Sequence, residues 1–411
     1  MDVVAQVEAE ALAARRALPR LTDEMVGRAL RAAAGLVLER RAAILAANRA
    51  DVEGAELTEA MLDRLRLDDA RVDALAAQVE ALAALEPLAR EIDVWTLDNG
   101  LRVSERRIPI GVVGANFEAR PGVALDVAGQ LLKSLNAGVL RTGGAALRTV
   151  TVLVDEVLQP ALESAGLPAG AVGLVRSPDR EGARALVSLP HAIPLVILRG
   201  SGETTATLAR LAAEHGVRTL AHAEGGGVLY VHAEASRDKL LAVAAASVDR
   251  LGVCNRLNLC LVDRAAATLV PDLLVLLREH GLEVRGDVDT ARPLDGPIGH
   301  EWANDSDPSQ VTVCYSGSLE EALRVANGET SALAAGIVTE DPVAAQAFLD
   351  GYRGTAAFWN ATTRFADGHA LTGAPETGIN VDWTPGPRGP VTYRDLWLRQ
   401  YRVVGDGTQA R

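Results

Sequence analysis

The chain has 411 residues, 48% of them apolar, and a formal net charge of −13. That length exceeds one ordinary core and predicts two large lobes with a small appendage, while the acidic balance argues against nucleic acid or an anionic membrane as main partner, since both reward Lys and Arg. Residues 1–20 lack the unbroken apolar stretch of a secretion signal, no run approaches the roughly 20 apolar residues of a membrane helix, and Cys254, Cys260 and Cys314 form neither a disulfide framework nor a zinc cluster, so the expectation is a cytoplasmic protein.

Ala, Leu and Val recur at helical spacing over 3–18, 23–48 and 70–90, which predicts a helical first ninety residues. Asp98-Asn99-Gly100 then separates two short extended runs, 94–97 and 101–104, a hairpin signal because Asn-Gly tolerates positive φ. A lone hairpin is not stable, so this one needs another sheet to join.

From residue 108 the pattern alternates. Strands at 110–115, 137–141, 173–175, 195–198 and 228–232 are separated by helices near 123–135, 149–165, 180–188 and 204–215, with a further strand-like run at 218–221. Such alternation predicts a mostly parallel sheet covered on both faces. A second α/β series follows: helix 236–249, strand 257–263, helix 266–280, strand 311–315, helix 318–327, strand 335–338, helix 341–350 and strand 355–359. The tail carries Pro385, Pro387 and Pro390 and ends in a strand-like run at 398–404.

Cys254 lies in Gly252-Val253-Cys254-Asn255, a polar turn between a helix and a strand, where a thiol can meet a ligand; Cys260 and Cys314 alternate inside strands as small core residues. Nucleophilic chemistry requires thiolate character. Arg120, before Pro121, is biased towards extended backbone, either reaching into a cleft or pairing with Glu118 or Asp126. Lys133, one of only two lysines with Lys239, either snorkels along its apolar helix or holds a phosphate. Arg141-Thr142-Gly143-Gly144 and Arg199-Gly200-Ser201-Gly202 are glycine turns after strands, open to phosphate contact or to plain turn chemistry. Asn360-Ala361-Thr362-Thr363-Arg364 either lines a cleft or caps a helix. His222 is either catalytic or structural.

Several motifs stand in order: Ile108-Pro109-Ile110-Gly111-Val112-Val113-Gly114, Phe117-Glu118-Ala119-Arg120-Pro121, Leu132-Lys133-Ser134 with Asn136-Ala137, Val139-Leu140-Arg141 with Gly143-Gly144, Leu198-Arg199-Gly200, Val253-Cys254-Asn255, Ile337-Val338-Thr339-Glu340-Asp341, Asn360-Ala361-Thr362-Thr363-Arg364-Phe365, Arg388-Gly389-Pro390 and Gly405-Asp406-Gly407. From about residue 20 to the C-terminus this series resembles the γ-glutamyl phosphate reductases of the aldehyde dehydrogenase superfamily.

The resemblance implies an α/β, aldehyde-dehydrogenase-like fold: a Rossmann-like cofactor domain (1–93 and 105–233), an α/β catalytic domain (234–370) and an oligomerisation flap (94–104 with 383–411). It implies Cys254 and Asn255 as catalytic residues; Glu118, Arg120, Lys133, Asn136, Asn360 and Arg364 around the substrate; and Arg141, Gly143, Gly144, Arg199, Gly200, Ser201 and Asp305 around NADPH (NADP). In the implied reaction a Cys254 thiolate attacks a small acyl phosphate, phosphate leaves, and the thioester accepts a hydride and collapses to an aldehyde. A homodimer or homotetramer and an amino-acid kinase as supplier of the acyl phosphate follow from the same likeness.

Five stretches depart from the family pattern. The acidic residue before the histidine is missing from Ala221-His222-Ala223, leaving Glu224 as the nearby carboxylate that an oxidative, hydrolytic variant would use. A His and a Glu of the family are apolar in Ala332-Leu333-Ala334-Ala335-Gly336, which points to a different or less charged acyl group, a modified or carrier-bound one included, or to a silent binding protein. The turns at Leu198-Arg199-Gly200-Ser201 and Arg141-Thr142-Gly143-Gly144, and Trp302-Ala303-Asn304-Asp305, imply an altered grip on the cofactor.

Overall fold

The computed structural model describes residues 2–222, 225–303, 306–383 and 386–409. In chain order, β1 (Glu91–Thr96) and β2 (Arg102–Pro109) form the expected hairpin. Its three-residue turn puts only Gly100 at positive φ (86°), with Gly100 N–H donating to Leu97 O at 2.8 Å.

Next come β3 (Val112–Phe117), β4 (Ala137–Thr142), β5 (Val172–Leu174), β6 (Leu195–Arg199) and β7 (Arg218–His222), a parallel sheet ordered β5-β4-β3-β6-β7. The chain leaves β3 to build β4 and β5 on one side, then returns to build β6 and β7 on the other. The carboxyl ends of β3 and β6 therefore flank the point where strand order reverses, the crevice in which open α/β sheets bind ligands. One face is covered by helices Val3–Ala17, Arg180–Leu186 and Gly202–His215, the other by helices that include Asp23–Glu39, Asp69–Ala84 and Val123–Lys133. The expected helix 23–48 breaks at Arg40 into Asp23–Glu39 and Arg41–Glu53, and a short helix, Glu59–Leu65, stands where no element was expected.

The second sheet contains β8 (Gly227–Val231), β9 (Leu257–Asp263), β10 (Glu283–Gly286), β11 (Gln310–Ser316), β12 (Ala334–Val338) and β13 (Ala356–Trp359), all parallel, in the order β10-β11-β9-β8-β12-β13. Helices Arg237–Ser247 and Val270–Glu279 cover one face, Leu319–Gly328 and Pro342–Gly351 the other.

The tail returns to the first lobe through β14 (Gly378–Asn380) and β15 (Gly389–Val391), buries Tyr393 and Leu396 in its core, and ends in β16 (Trp397–Val404). β16 pairs antiparallel with β2 along its whole length, from Trp397 against Pro109 to Val404 against Arg102.

These ladders move three expected boundaries. The second lobe begins at β8, not at 234, because β8 pairs with β9 and β12. The appended sheet takes 91–96 and 102–109, because the β2 ladder continues to Pro109. Residues 389–396 leave the appendage for the first-lobe core, since Tyr393 O–H donates to Glu86 O at 2.8 Å and Tyr393 N–H to Gln130 Oε1 at 2.6 Å.

Candidate active site

Cys254 stands in the loop before β9, at the amino end of the second sheet. Gly252 at φ 43° turns the chain there, and Arg64 on the first-lobe helix Glu59–Leu65 donates to Gly252 O from Nε at 3.1 Å and from Nη2 at 2.5 Å, tying the loop to the opposite lobe. Cys254 is half-buried, against Leu333, Ala334, Ala366 and Ile379, whereas Cys260 and Cys314 are buried in strands.

The side chains facing this thiol come from the first lobe. Arg120 lies just past β3, after Ala119 at φ 46°, a left-handed conformation costly for a non-glycine residue. Arg199 is the last residue of β6. Both line a cleft of about 490 Å³ with Asp63, Arg64, Asp126, Arg250 and Glu376 among its walls. Neither Arg120 nor Arg199 has an ion-pair partner among the described residues, whereas Arg71 binds Asp63 at 2.6 Å.

Burial pushes the Cys254 thiol up from its ordinary value; the Arg120 and Arg199 cations pull it back, and Glu376 pushes it up again. The same desolvation, with Arg199 and Arg64 alongside, brings Arg120 down to about 10. The cleft thus holds unspent positive charge beside a thiol, which suits an electrophile carrying an anionic leaving group.

The aldehyde dehydrogenase family profile matches residues 2–274. The γ-glutamyl phosphate reductase of Chloroflexus aurantiacus is 38% identical over 417 residues, covering 96% of each chain, and that of Rhodospirillum rubrum is 36% identical, covering 92% of this chain and 88% of its own. The chain belongs to the aldehyde dehydrogenase family, in its γ-glutamyl phosphate reductase branch. The crystal structure of the Thermotoga maritima γ-glutamyl phosphate reductase superposes with a TM-score of 0.90 at 28% identity, covering 99% of this chain and all of that one. An engineered glycolyl-CoA reductase with bound NADP+ shares the fold at 15% identity and a TM-score of 0.70, covering 97% of this chain.

Within this aldehyde dehydrogenase scaffold, several expected site residues are occupied elsewhere. Lys133 donates to the carbonyls of Ala83 (3.3 Å) and Leu85 at the end of helix Asp69–Ala84, so it binds protein rather than phosphate. Asn136 is fully buried, accepting from Gly111 N–H at 2.9 Å and donating to Ser134 Oγ and Leu396 O. Asn360, at φ 49°, closes two bonds with the Thr339 backbone.

Arg364 binds Asp249 at 2.8 Å and Asn255 Oδ1, while Asn255 Nδ2 donates to Arg364 O at 2.8 Å. Asn255 therefore fastens the cysteine loop to segment 363–366, and its amide is not available to an oxyanion. Arg141 spends Nη1 on Asn116 Oδ1 (3.0 Å) and Nη2 on the carbonyls of Pro178 and Asp179, leaving Nε without a partner among the described residues.

Glu118, Gly143, Gly144, Gly200 and Ser201 stay at the crevice. The Glu118 carboxylate packs over Gly200, where an added Cβ would meet it at 3.2 Å, and Ser201 caps helix Gly202–His215. Glu224, Asn304, Asp305 and the side chain of His222 lie outside the described residues. Ala332, Leu333, Ala334 and Ala335 are buried, with Leu333 and Ala334 in the small cluster against which Cys254 packs.

Sequence reasoning missed Arg64, Arg250 and Glu376, and met Asp126 only as a pairing partner. Asp126 had a signal: it is a lone carboxyl in the apolar run Val123-Ala124-Leu125-Asp126-Val127-Ala128. Burial pushes its carboxyl up to about 7, with Arg199 opposing and Glu376 adding.

Below about pH 4 that carboxyl is neutral in both folded and unfolded chains. Between about 4 and 7 the unfolded chain releases a proton the folded chain keeps, so stability falls with rising pH and stays lower above 7. Asp126→Asn is expected to raise the melting temperature at pH 8 by about 2–4 °C and to leave it nearly unchanged at pH 4.5, on the order of 2 kcal/mol once solvent screening in the cleft is allowed for. Equal shifts at both pH values in a thermal scan would refute it.

Proposed function

We propose that this protein reduces γ-glutamyl 5-phosphate to glutamate 5-semialdehyde and phosphate, with NADPH as reductant and Cys254 as nucleophile, in the cytoplasm. The observation that carries this is a half-buried thiol beside a cleft in which Arg120 and Arg199 form no ion pair among the described residues.

Arg120, Arg199 and the amino end of helix Val123–Lys133 draw the phosphate in, since a helix N-terminus and guanidinium groups both favour anions. Cys254 Sγ forms the C–S bond as the carbonyl carbon's bond to the phosphate oxygen breaks, giving thioester and free phosphate. Phosphate leaves without prior protonation, so the chain needs no strong acid here. The N–H of Cys254 and Arg120 face the oxyanion formed at the carbonyl. After reduction the C–S bond breaks, releasing aldehyde and thiolate. Shielding of the thioester from water by the apolar neighbours Leu333, Ala366 and Ile379 favours reduction over hydrolysis.

NADPH supplies the hydride. The crevice at the β3/β6 reversal suits it: Gly143 has open space where a side chain would stand, and Arg141 Nε and Thr142 Oγ1 at the end of β4 are buried without a partner. Gly143, Gly144, Gly200 and Ser201 would hold its phosphates, with Glu118 facing a ribose. An amino-acid kinase must supply the acyl phosphate, which is short-lived in water. The test is NADPH oxidation with a glutamate 5-kinase, ATP and glutamate; NADPH loss that persists without ATP, or none at all, overturns the reading.

The appended sheet is the site of assembly in this proposal. Val94, Trp95, Leu398, Tyr401, Val403 and Val404 are exposed on β1 and β16, which are both edges of a three-stranded sheet. A strand edge with exposed apolar side chains invites pairing, and a second copy of the chain supplies the same surface. A homodimer or homotetramer is expected by light scattering, and the double variant Leu398→Asp, Tyr401→Asp is expected to run as a monomer; an unchanged mass would place assembly elsewhere.

A further inference from the structure

Two cleft residues remain outside the chemistry above. Asp126 is the polar residue of helix Val123–Lys133 without a protein partner: Gln130 bonds Pro375 and Tyr393, and Lys133 is spent on backbone carbonyls. Its carboxyl accepts no hydrogen bond and makes no ion pair among the described residues. Glu376, on the returning tail, faces it across the cleft, with one oxygen bound by Gly368 N–H at 3.0 Å. The two carboxyls repel each other electrostatically, and Arg199 offsets this without forming an ion pair with Asp126 among the described residues.

The other acids of the wall are committed: Asp63 to Arg71 and Arg250, and Asp367 to the N–H of Ala370. What remains is two unpaired guanidinium groups and two under-compensated carboxyls around one volume of about 490 Å³. Buried charge is retained at such cost where a ligand of opposite sign completes it. A ligand that fits carries anionic groups at one end and one compact cation.

We propose that Asp126 and Glu376 bind the α-ammonium group of the substrate, so that this site selects amino-acid acyl phosphates with a free amino group over N-blocked or des-amino analogues. The proposal rests on the acyl-phosphate reductase reading and adds the residues that set its selectivity. It adds polar recognition to the apolar contact that Leu333 and Ala334 of segment 332–336 make beside Cys254.

The test runs the reaction backwards, as phosphate-dependent reduction of NADP+ by glutamate 5-semialdehyde and by glutarate semialdehyde, which lacks only the amino group. A site whose polar groups go unpaired with the smaller ligand discriminates strongly, so the wild type is expected to prefer the amino substrate by about 10²-fold in kcat/KM. Asp126→Asn and Glu376→Gln are each expected to cut that ratio by about ten-fold or more, and Asp126→Glu to restore part of it. An unchanged ratio in both variants, whatever their absolute rates, overturns the proposal, because a structural role slows both substrates alike.

A second measurement needs no turnover. L-glutamate is expected to protect Cys254 from iodoacetamide at about ten-fold lower concentration than glutarate. Equal protection overturns the ammonium site; preferential protection by L-glutamate with no phosphate-dependent turnover of either aldehyde overturns the reductase reading and leaves the site standing.

Discussion

Cys254→Ala is expected to lower NADPH-dependent reduction of γ-glutamyl phosphate by at least about 10⁴-fold, because the proposed route runs through a thioester on that sulfur. Cys260 and Cys314 lie inside β9 and β11, and burial pushes the first up to about 12 and the second to about 11, so neither ionises near neutrality. Iodoacetamide on the folded protein should therefore add a single mass increment, at Cys254, and none to the variant.

The fold should survive the change. Cys254 is half-buried at the margin of a small apolar cluster, and removing one sulfur from a partly exposed position costs on the order of 1 kcal/mol. A melting temperature within about 3 °C of wild type, beside the lost activity, separates chemistry from folding. Residual activity above about 1% in the alanine variant would exclude the thioester route.

Much of this architecture was legible in the sequence, and the reasons are local. Alternating apolar runs and helical stretches reveal a parallel sheet because strands buried on both faces are apolar for most of their length, as β3 is up to Asn116 and β4 up to Arg141. The nucleophile stood out because Gly252 and Asn255 make its surroundings polar.

The boundaries were less legible because they depend on pairing partners far along the chain. Whether 228–232 closes the first lobe or opens the second is decided by β9 and β12, and no feature inside the strand reports that. The short strands β10, β14 and β15 lack a distinctive pattern, and the helix Glu59–Leu65 is brief.

Polar side chains were the hardest to assign. Lys133, Asn136, Asn360 and Arg364 sit in motifs that resemble a site, yet the first three satisfy backbone groups that irregular segments leave open, and Arg364 bonds the side chains of Asp249 and Asn255. An Asn that holds a turn and an Asn that holds a substrate look the same until its neighbours in space are known. The charges that shape the cleft come from scattered places: Arg64 in a short helix, Asp126 in an apolar one, Arg250 in a loop and Glu376 in the tail. Gly226 shows the same dependence, since its reason for lacking a side chain is Asn258, whose Cβ lies 2.2 Å from where one would stand.

Arg120→Ala is expected to reduce kcat/KM for the acyl phosphate by about 10²-fold, from the loss of charge-assisted hydrogen bonds to the leaving phosphate and the carbonyl oxyanion. It also removes the leading cation acting on the thiol, so the Cys254 titration should move further up and its alkylation at pH 7.5 slow by about ten-fold. In the wild type, where burial already holds the thiol above its ordinary value, the alkylation rate should climb steadily from pH 7 to 9 without a plateau.

Arg120→Lys separates the two roles. A lysine keeps the positive charge and should recover most of the alkylation rate, but a single ammonium cannot reproduce the forked contacts of a guanidinium, so kcat/KM should stay about ten-fold below wild type. Stopped-flow alkylation and steady-state kinetics on the same preparations decide it. If Arg120→Ala leaves both quantities within two-fold of wild type, the cation that acts most strongly on the thiol is not part of the chemistry, and Arg199 would have to carry the anion alone.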